Sequence, residues 1–388
     1  MLIIEQDDYK KFRCIAGDCP KSCCEGWQIV VDEESLERFM NMPGAMGERL
    51  RGSLDLSEKA FLQKEGRCTM LTGEGLCSLQ KEEGEESLCS TCRRYPRHME
   101  EYEGVREFSL SLSCPEAARL LIGRKKPMTY EKREEAEISA EEDWEDFDEF
   151  LYSALWDARD CIREMAEDEE LGIEGFMDSC LELGRGLQQC VDEGRVCDIE
   201  ELLEEKAEGA VEKAEGAGEK AEGAGEEIAQ DEEQGDWEDF ERDRNYFSRL
   251  LELEQLEEDW EDILLGSYAA VFENEDSYRE AMELIRRNSG AARRIIMFFI
   301  YTYFCGSVYN NCVYSKTALA VYSCRFIFFI ACYFEKSVDK WRDPVYAGEK
   351  NALLIKAAYR YAREVEHSDE NIRALEDFFM DEYDREMA

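Results

Sequence analysis

Apolar residues recur at helical spacing through the second half of the chain. In the segment 141–167, Trp144, Phe147, Leu151 and Leu155 lie three or four residues apart, which places their side chains on one face of an α-helix. The same spacing predicts further amphipathic helices, at 171–191, 237–256, 260–271 and 278–285. We therefore expect the C-terminal region to be all-α.

The segment 295–334 is strongly apolar and aromatic, which raises the question of membrane insertion. Its longest clean run, 295–308, has 14 residues and is too short to span a bilayer. Lys316 and Arg325 interrupt the remainder, and charges at such positions are costly in lipid. We expect two helices buried in the core of a soluble protein.

The first third of the chain predicts shorter elements. Residues 27–31 have the composition of a strand, and Asp32 is expected to cap a helix that ends before Pro43. Residues 68–71 and 76–79 flank a Thr-Gly-Glu-Gly turn and predict a small hairpin. The predicted fold is mostly α, with a small cysteine-rich α+β metal-binding module followed by an all-α C-terminal region.

A seven-residue unit beginning Lys-Ala-Glu-Gly-Ala occurs three times between Lys206 and Glu226. It has no large apolar side chain and every unit carries glycine, so a solvated linker is favoured over a coiled coil. The predicted organisation is a metal-cluster module at 1–125, a helical region at 126–200, an acidic low-complexity linker at 201–236 and a helical C-terminal domain at 237–388.

The chain is strongly acidic. It has 92 Asp and Glu against 47 Lys and Arg, a formal net charge of −45. Such a surface repels nucleic acid and anionic membranes, so we expect neither as a partner. A basic protein segment or an exposed lysine would be attracted to it, although the acid also serves solubility alone.

Cysteine is concentrated at the N-terminus. Nine of the 17 cysteines lie within the first 114 residues, and the N-terminus has no basic and apolar stretch of a secretory signal. Both features predict a cytoplasmic protein whose thiols bind metal rather than form disulfides. The nine are Cys14, Cys19, Cys23, Cys24, Cys68, Cys77, Cys89, Cys92 and Cys114.

The spacing of the cysteines argues against some kinds of metal site. The radical S-adenosylmethionine signature CxxxCxxC would need a cysteine at position 26, which is glycine. Only one CxxC pair and two histidines are present, which argues against the usual zinc layouts but leaves zinc open. Adjacent Cys23 and Cys24 point in different directions, so the thiols indicate either two centres or one cluster with additional thiols nearby.

Several motifs together resemble the bacterial flagellin lysine-N-methylase family. They are Phe12-Arg-Cys14, Cys23-Cys-Glu-Gly-Trp27, Thr91-Cys-Arg-Arg-Tyr-Pro-Arg97, Ser111-Leu-Ser-Cys-Pro-Glu-Ala-Ala118 and, near the C-terminus, Tyr361-Ala-Arg-Glu-Val-Glu-His-Ser-Asp-Glu-Asn371. The resemblance spans nearly the whole chain apart from the acidic repeat. It implies an enzyme that transfers a methyl group from S-adenosylmethionine to surface lysines of flagellin.

The resemblance also implies a cysteine-ligated iron–sulfur cluster, of the 4Fe–4S type, with zinc as the alternative metal. The positions that match the family are Cys14, Cys19, Cys23, Cys24, Cys68, Cys77, Cys92 and Cys114. Cys89 is left out of this set. The residues that bind S-adenosylmethionine are not identified.

Four residues are candidates for the chemistry. Glu366 and His367 are candidates for proton transfer, with helix capping or core packing as the alternative for His367. Tyr95 and Arg97 are candidates for orienting a cofactor, with packing over the metal as the alternative. Trp27 is interpreted as a hydrophobic cover of the metal centre.

The sequence leaves a second function class open. A non-catalytic iron–sulfur or zinc protein in electron transfer or metal handling, with a protein-binding helical domain, would use the same cysteines. Binding of S-adenosylmethionine separates this class from the methyltransferase.

Overall fold

The computed structural model describes residues 1–135, 147–206 and 227–388. Within these ranges the strands belong to the first third of the chain. They are β1 Leu2–Gln6, β2 Leu54–Asp55, β3 Ala60–Phe61, β4 Gln63–Lys64, β5 Arg67–Cys68, β6 Arg97–Tyr102, β7 Val105–Leu110 and β8 Tyr130–Glu134.

The main sheet has four strands in the order β6-β7-β1-β8. Strand β1 pairs parallel to β7 and antiparallel to β8, so the first residues of the chain lie inside the sheet. The β6–β7 hairpin turns through Gly104, whose φ of +71° is a conformation that favours glycine. Strand β2 pairs with β3 and β4 with β5 in two short ribbons.

Five short helices complete this part of the chain. They are α1 Glu33–Asn41, α2 Gly44–Gly52, α3 Ser78–Glu83, α4 Ser90–Arg94 and α5 Pro115–Gly123. The predicted cap is confirmed, because the Asp32 carboxylate accepts the Ser35 N–H at 2.9 Å and α1 ends before Pro43.

The predicted strand at 27–31 forms only an isolated bridge, between Val30 and Ala60. Ile29 and Val31 are buried, as alternation predicts, but their partner β3 is only two residues long. The predicted hairpin of residues 68–71 and 76–79 forms only in part. A single bridge joins Leu71 to Cys77 beside the turn, and the second predicted strand is replaced by helix α3, which begins at Ser78.

The remainder is helical. Its helices are α6 Glu149–Glu167, α7 Ile173–Asp192, α8 at 199–206, α9 Glu227–Ser248, α10 Trp260–Phe272, α11 Glu275–Arg287, α12 Ser289–Tyr303, α13 Val313–Lys336, α14 Val338–Trp341, α15 Ala352–Val365 and α16 Asp369–Met387. The fold class, mostly α with an N-terminal α+β part, is confirmed. Most of the acidic repeat, 207–226, lies outside the described residues, and the domain boundaries stay predictions.

Helix α13 forms the centre of the helical region, surrounded by α7, α10, α12, α15 and α16. It is the one helix in the described ranges with the length and composition to cross a membrane, and 94% of its apolar window is buried inside the protein. Its charges have partners there: Arg325 contacts Asp243 at 2.6 Å, and Lys316 pairs with Glu376. Helix α13 therefore packs as the central core helix of this region.

Candidate functional site

Most of the nine N-terminal cysteines lie on loops or at the beginnings of short helices, whereas Cys68 lies in β5 and Cys92 within α4. Cys77, Cys89 and Cys114 are the N-cap residues of α3, α4 and α5. Cys14, Cys19, Cys23 and Cys24 lie in the connection between β1 and α1. All 17 cysteines are free thiols, which agrees with the expectation that disulfides do not stabilise this chain.

The nine thiols separate into two groups by their neighbours. The first thiol group is Cys14, Cys19, Cys23 and Cys114, which interact electrostatically with one another. The second thiol group is Cys24, Cys68, Cys77, Cys89 and Cys92, which pack together in one apolar cluster under α1 and α2. The two groups meet at the adjacent thiols of Cys23 and Cys24, which hydrogen-bond to each other.

Burial keeps several of these thiols protonated. It raises the pKa of Cys19 to about 11 and the pKa values of Cys68 and Cys114 to about 12. Cys89 differs, since a hydrogen bond from Cys92 lowers its pKa to about 7 against the effect of burial. A thiolate-binding metal would have to displace a proton from most of these side chains.

The two thiol groups supply sulfur ligands of the kind that soft metals prefer, but the thiols are not arranged around a common point where an ion could bind. Within the described ranges, no three His, Cys, Asp or Glu side chains are positioned to hold one metal. The donor set suits iron–sulfur or zinc by its chemistry. Cys89, left out of the predicted ligands, lies beside Cys92 in the second thiol group.

Three aromatic rings meet beside Cys23, in what we call the aromatic junction of Trp27, Tyr95 and His367. The Trp27 and His367 rings stack with centroids 4.7 Å apart. Tyr95 lies 5.8 Å from Trp27 and 5.9 Å from His367. The Trp27 indole donates to the Cys23 carbonyl at 2.7 Å, so the junction touches the first thiol group directly.

Glu366 is placed at the junction by the end of α15. Its carboxylate accepts hydrogen bonds from the Ser111 hydroxyl and, at 3.4 Å, from the Ser113 N–H. The other oxygen, Oε1, is buried without a partner. Burial raises the pKa of Glu366 to about 7, although Ser111 and His98 oppose the shift. This carboxyl therefore titrates near neutral pH.

The surroundings of His367 disfavour the proton-transfer role considered for it from the sequence. Both of its ring nitrogens are buried without hydrogen-bond partners. Burial, together with the nearby Arg363 guanidinium, lowers the pKa of His367 to about 3. The imidazole is neutral at physiological pH, so proton transfer near neutrality is better suited to Glu366 than to His367.

The structure separates the other two candidates. The Tyr95 hydroxyl lies 3.0 Å from the Ser113 hydroxyl, so Tyr95 belongs to the junction. Arg97 lies over the Tyr9 and Phe12 rings, at 5.6 and 5.4 Å, and is not part of it. Sequence reasoning overlooked Ser113 as a functional residue, although it lies inside the quoted Ser-Leu-Ser-Cys-Pro motif.

A buried ion pair, which we call the Arg363 clamp, holds the two halves of the junction together. The Arg363 side chain is 1% exposed, and its Nε contacts the Glu257 carboxylate at 3.0 Å. Arg363 also donates to the Glu25 carbonyl, and Lys21 pairs with Glu257. Burial acts to raise the pKa of Glu257, but Lys21 and Arg363 outweigh it and hold that pKa below its ordinary value.

Glycine at position 26 is required by this contact. Its φ is +82°, and a Cβ there would lie 2.5 Å from Oε1 of Glu257. A side chain at this position would therefore strain the backbone and push Glu257 away from Arg363.

Comparison with known proteins agrees with the sequence resemblance. The model of the FliB lysine N-methylase C-terminal domain matches residues 159–387. The flagellar biosynthetic protein FliU of Salmonella muenchen is 27% identical over 120 residues, which is 29% of this chain and 71% of FliU.

Two proteins named lysine-N-methylase match over a similar length. The one from Salmonella typhimurium strain LT2 is 26% identical over 121 residues, and the one from Salmonella choleraesuis strain SC-B67 is 26% identical over 120 residues. Each match covers 29% of this chain and 30% of the relative. No solved structure matches the chain.

The first prediction concerns the stability of Glu366→Gln as a function of pH. A carboxyl whose pKa is raised from 4.5 to about 7 on folding stabilises the protein below the unfolded value and loses that contribution as the pH rises through 7. Between pH 5 and 8 we expect the wild type to lose about 2 kcal/mol more unfolding free energy than Glu366→Gln does. Urea unfolding at the two pH values measures this difference.

Glu370→Gln is the control, because Glu370 is an exposed carboxylate in the first turn of α16. We expect it to follow the wild type at both pH values. Equal pH dependence in the wild type and in Glu366→Gln would show that Glu366 titrates at its ordinary pKa.

Proposed function

We propose that this chain, which belongs to the FliB lysine N-methylase family, transfers a methyl group from S-adenosylmethionine to lysine side chains of flagellin in the cytoplasm. The family model covers 159–387, a range that includes Glu366, His367 and Arg363. The name of the FliU relative supports a flagellar substrate. The observation that carries the proposal is the buried Glu366 carboxylate, which contacts Ser111 and Ser113, while the Ser113 hydroxyl contacts Tyr95 of the aromatic junction.

Methyl transfer requires a neutral amine. A lysine side chain has a reference pKa of about 10.4, so reaching the neutral form at pH 7 costs several kcal/mol. A base with a pKa near the working pH is the effective proton acceptor. Glu366 has that property, because burial raises its pKa to about 7 and its Oε1 has no partner.

The reaction then follows from these positions. The lysine ammonium gives its proton to Oε1 of Glu366, and the nitrogen lone pair attacks the methyl carbon. The new N–C bond forms as the C–S bond breaks in line with it, and the bonding pair remains on sulfur, which becomes a neutral thioether. The product is a methylated ammonium, which leaves the site as a cation, and Glu366 releases the proton that it accepted to solvent before the next cycle.

The aromatic junction suits both cations of this reaction. Sulfonium and ammonium groups are attracted to the faces of Trp and Tyr, and a neutral His367 adds no opposing charge. Trp27, Tyr95, Glu366 and His367 each keep part of their surface exposed. Because Oε1 of Glu366 is itself buried, a lysine side chain must displace neighbouring atoms to reach it. We assign Trp27 and Tyr95 to cation binding and Glu366 to deprotonation.

The two thiol groups are proposed to hold the iron–sulfur cluster that the family implies, with zinc as the alternative. Cys14, Cys19, Cys23 and Cys114 would serve in the first group, and Cys24, Cys68, Cys77 and Cys92, joined by Cys89, in the second. A bound metal would cross-link loops and two-residue strands that have little secondary structure of their own. Its role here is to hold Trp27 and Tyr95 in place.

The alternative, a non-catalytic metal protein, is not favoured. It accounts for the cysteines but gives no reason for family membership across the helical region. It also leaves the buried Oε1 of Glu366, which has no partner, without a use.

The second prediction concerns methyl transfer itself. Anaerobically purified full-length protein, supplied with methyl-labelled S-adenosylmethionine and flagellin from the same bacterium, is expected to label flagellin on lysine Nζ. Glu366→Gln should lower kcat about 100-fold or more, since general-base catalysis contributes 10²–10⁴. The wild-type rate should rise with pH through about 7, because the base must be deprotonated.

Glu370→Gln again serves as the matched control and should keep wild-type kcat. Absence of labelling by the metal-loaded wild type would contradict the proposed function. Wild-type kcat in Glu366→Gln would contradict only the assignment of the base.

The third prediction concerns the metal. Anaerobic protein is expected to contain iron and to absorb visible light, and Cys68→Ser and Cys114→Ser should each reduce the iron content. Cys197→Ser is the control, because Cys197 is an exposed cysteine outside both thiol groups. Iron and zinc analysis with visible spectra gives the result.

If the protein is colourless and contains zinc alone, the metal bound by these thiols is zinc and not an iron–sulfur cluster. Protein free of both metals, with unchanged metal content in all three variants, would contradict metal binding by these thiols.

A further inference from the structure

A surface groove lies between α6 and the segment 196–206, far along the chain from the cysteines. One wall is α6, and the other is the short 3₁₀ turn Val196–Asp198 with α8. The groove has a volume of about 730 Å³. From Phe150 to Glu164 it follows α6 for 15 residues, about 21 Å at the rise of a helix.

The floor of the groove is apolar. It includes Ala154, Cys161, Val196, Ile199 and Leu203. At one end stands Phe150, whose side chain is 85% exposed. A large exposed aromatic ring beside an apolar floor is typical of a surface that binds another protein.

The rim of the groove is acidic. It carries Asp157, Asp160, Glu164, Glu200 and Glu204, all of them exposed. Asp160 and Glu164 contact Arg163 of the same helix. The neighbouring Lys206 is paired with Glu182 at 2.9 Å. Asp157, Glu200 and Glu204 form no ion pair with the described part of the chain.

Charge indicates what does not occupy this groove. The sequence segments that precede α6 and follow α8 are 136–146, with six acidic and no basic residues, and 207–226, with six Glu and two Lys. Neither segment has the net positive charge that would complement an acidic rim. The charge that the rim complements is positive.

We propose that the groove binds an amphipathic helix of the protein substrate, with its apolar face on the floor and its lysines against Asp157, Glu200 and Glu204. A helix laid in a groove with apolar anchors three and four residues apart is a recurring mode of recognition. The identity of the partner as the methylated substrate rests on the proposed function. The binding of a basic helix does not, and it can be measured alone.

The test uses a labelled 14-residue amphipathic peptide of leucine, alanine and lysine, with full-length protein and fluorescence anisotropy. The triple variant Asp157→Asn, Glu200→Gln, Glu204→Gln is expected to weaken binding about tenfold and to reduce its salt dependence. Phe150→Ala should weaken binding several-fold without changing the salt dependence. A scrambled peptide of equal charge should bind more weakly than the amphipathic one.

The control is a triple variant of equal charge change, Glu34→Gln, Glu37→Gln, Glu370→Gln, at exposed positions outside the groove. It should keep wild-type affinity, and far-UV circular dichroism should show all variants folded. If both triple variants lose peptide affinity equally, the binding depends on net charge alone, and the proposed binding site in the groove is wrong. A tenfold gain in affinity on deleting 207–226 would assign the groove to the chain's own repeat and also overturn it.

Methylation kinetics separate this inference from the proposed function. The triple variant of the groove, Asp157→Asn, Glu200→Gln, Glu204→Gln, should have a KM for flagellin about tenfold higher than the wild type and an unchanged kcat. If the wild type methylates flagellin and this triple variant does so with the same KM, the groove inference fails while the function stands. If the peptide results hold but no protein transfers methyl groups, the proposed function fails while the groove remains a basic-helix site.

Discussion

The candidate site depends on one buried cation, the guanidinium of Arg363. Its partners come from distant parts of the chain: the Glu257 carboxylate precedes α10, and the Glu25 carbonyl lies in the cysteine-rich loop. A guanidinium that is 1% exposed is tolerated only when paired. Satisfying it therefore fixes the loop at 21–27 against the end of α15, and this contact brings Trp27 onto His367.

Much of the fold follows from periodicity, because each helix buries a stripe that the sequence shows directly. The site does not follow in this way. Trp27, Tyr95 and His367 were each singled out, but their meeting depends on tertiary contacts between residues hundreds of positions apart. Alternation along β6 separates Arg97 from its neighbour His98: Arg97 lies over the Tyr9 and Phe12 rings, whereas His98 contacts Glu100. Cys89 forms the one CxxC pair of the chain with Cys92, and this spacing at the start of α4 is the signal that could have placed the two thiols together.

The unpaired groups at the junction carry their own cost. Each buried polar atom without a partner costs about 1–3 kcal/mol, and Glu366 contributes one such atom and His367 two. Other buried groups of the described chain carry the same kind of cost, for example Oδ1 of Asp243 and Nε of Arg325, although these two residues pair with each other. At the junction, three such atoms belong to two adjacent residues, and a ligand that pairs with them would offset the cost.

Hydrogen exchange followed by mass spectrometry in Glu257→Ala tests the clamp most directly. The segments 21–27 and 363–368 should lose protection together, because removing Glu257 leaves the buried Arg363 without its carboxylate. Helix α13, which is buried at the centre of the helical region, should keep its protection. Loss confined to the residues around position 257, with 21–27 unchanged, would contradict the account, since the cysteine-rich loop would then hold its place without the clamp.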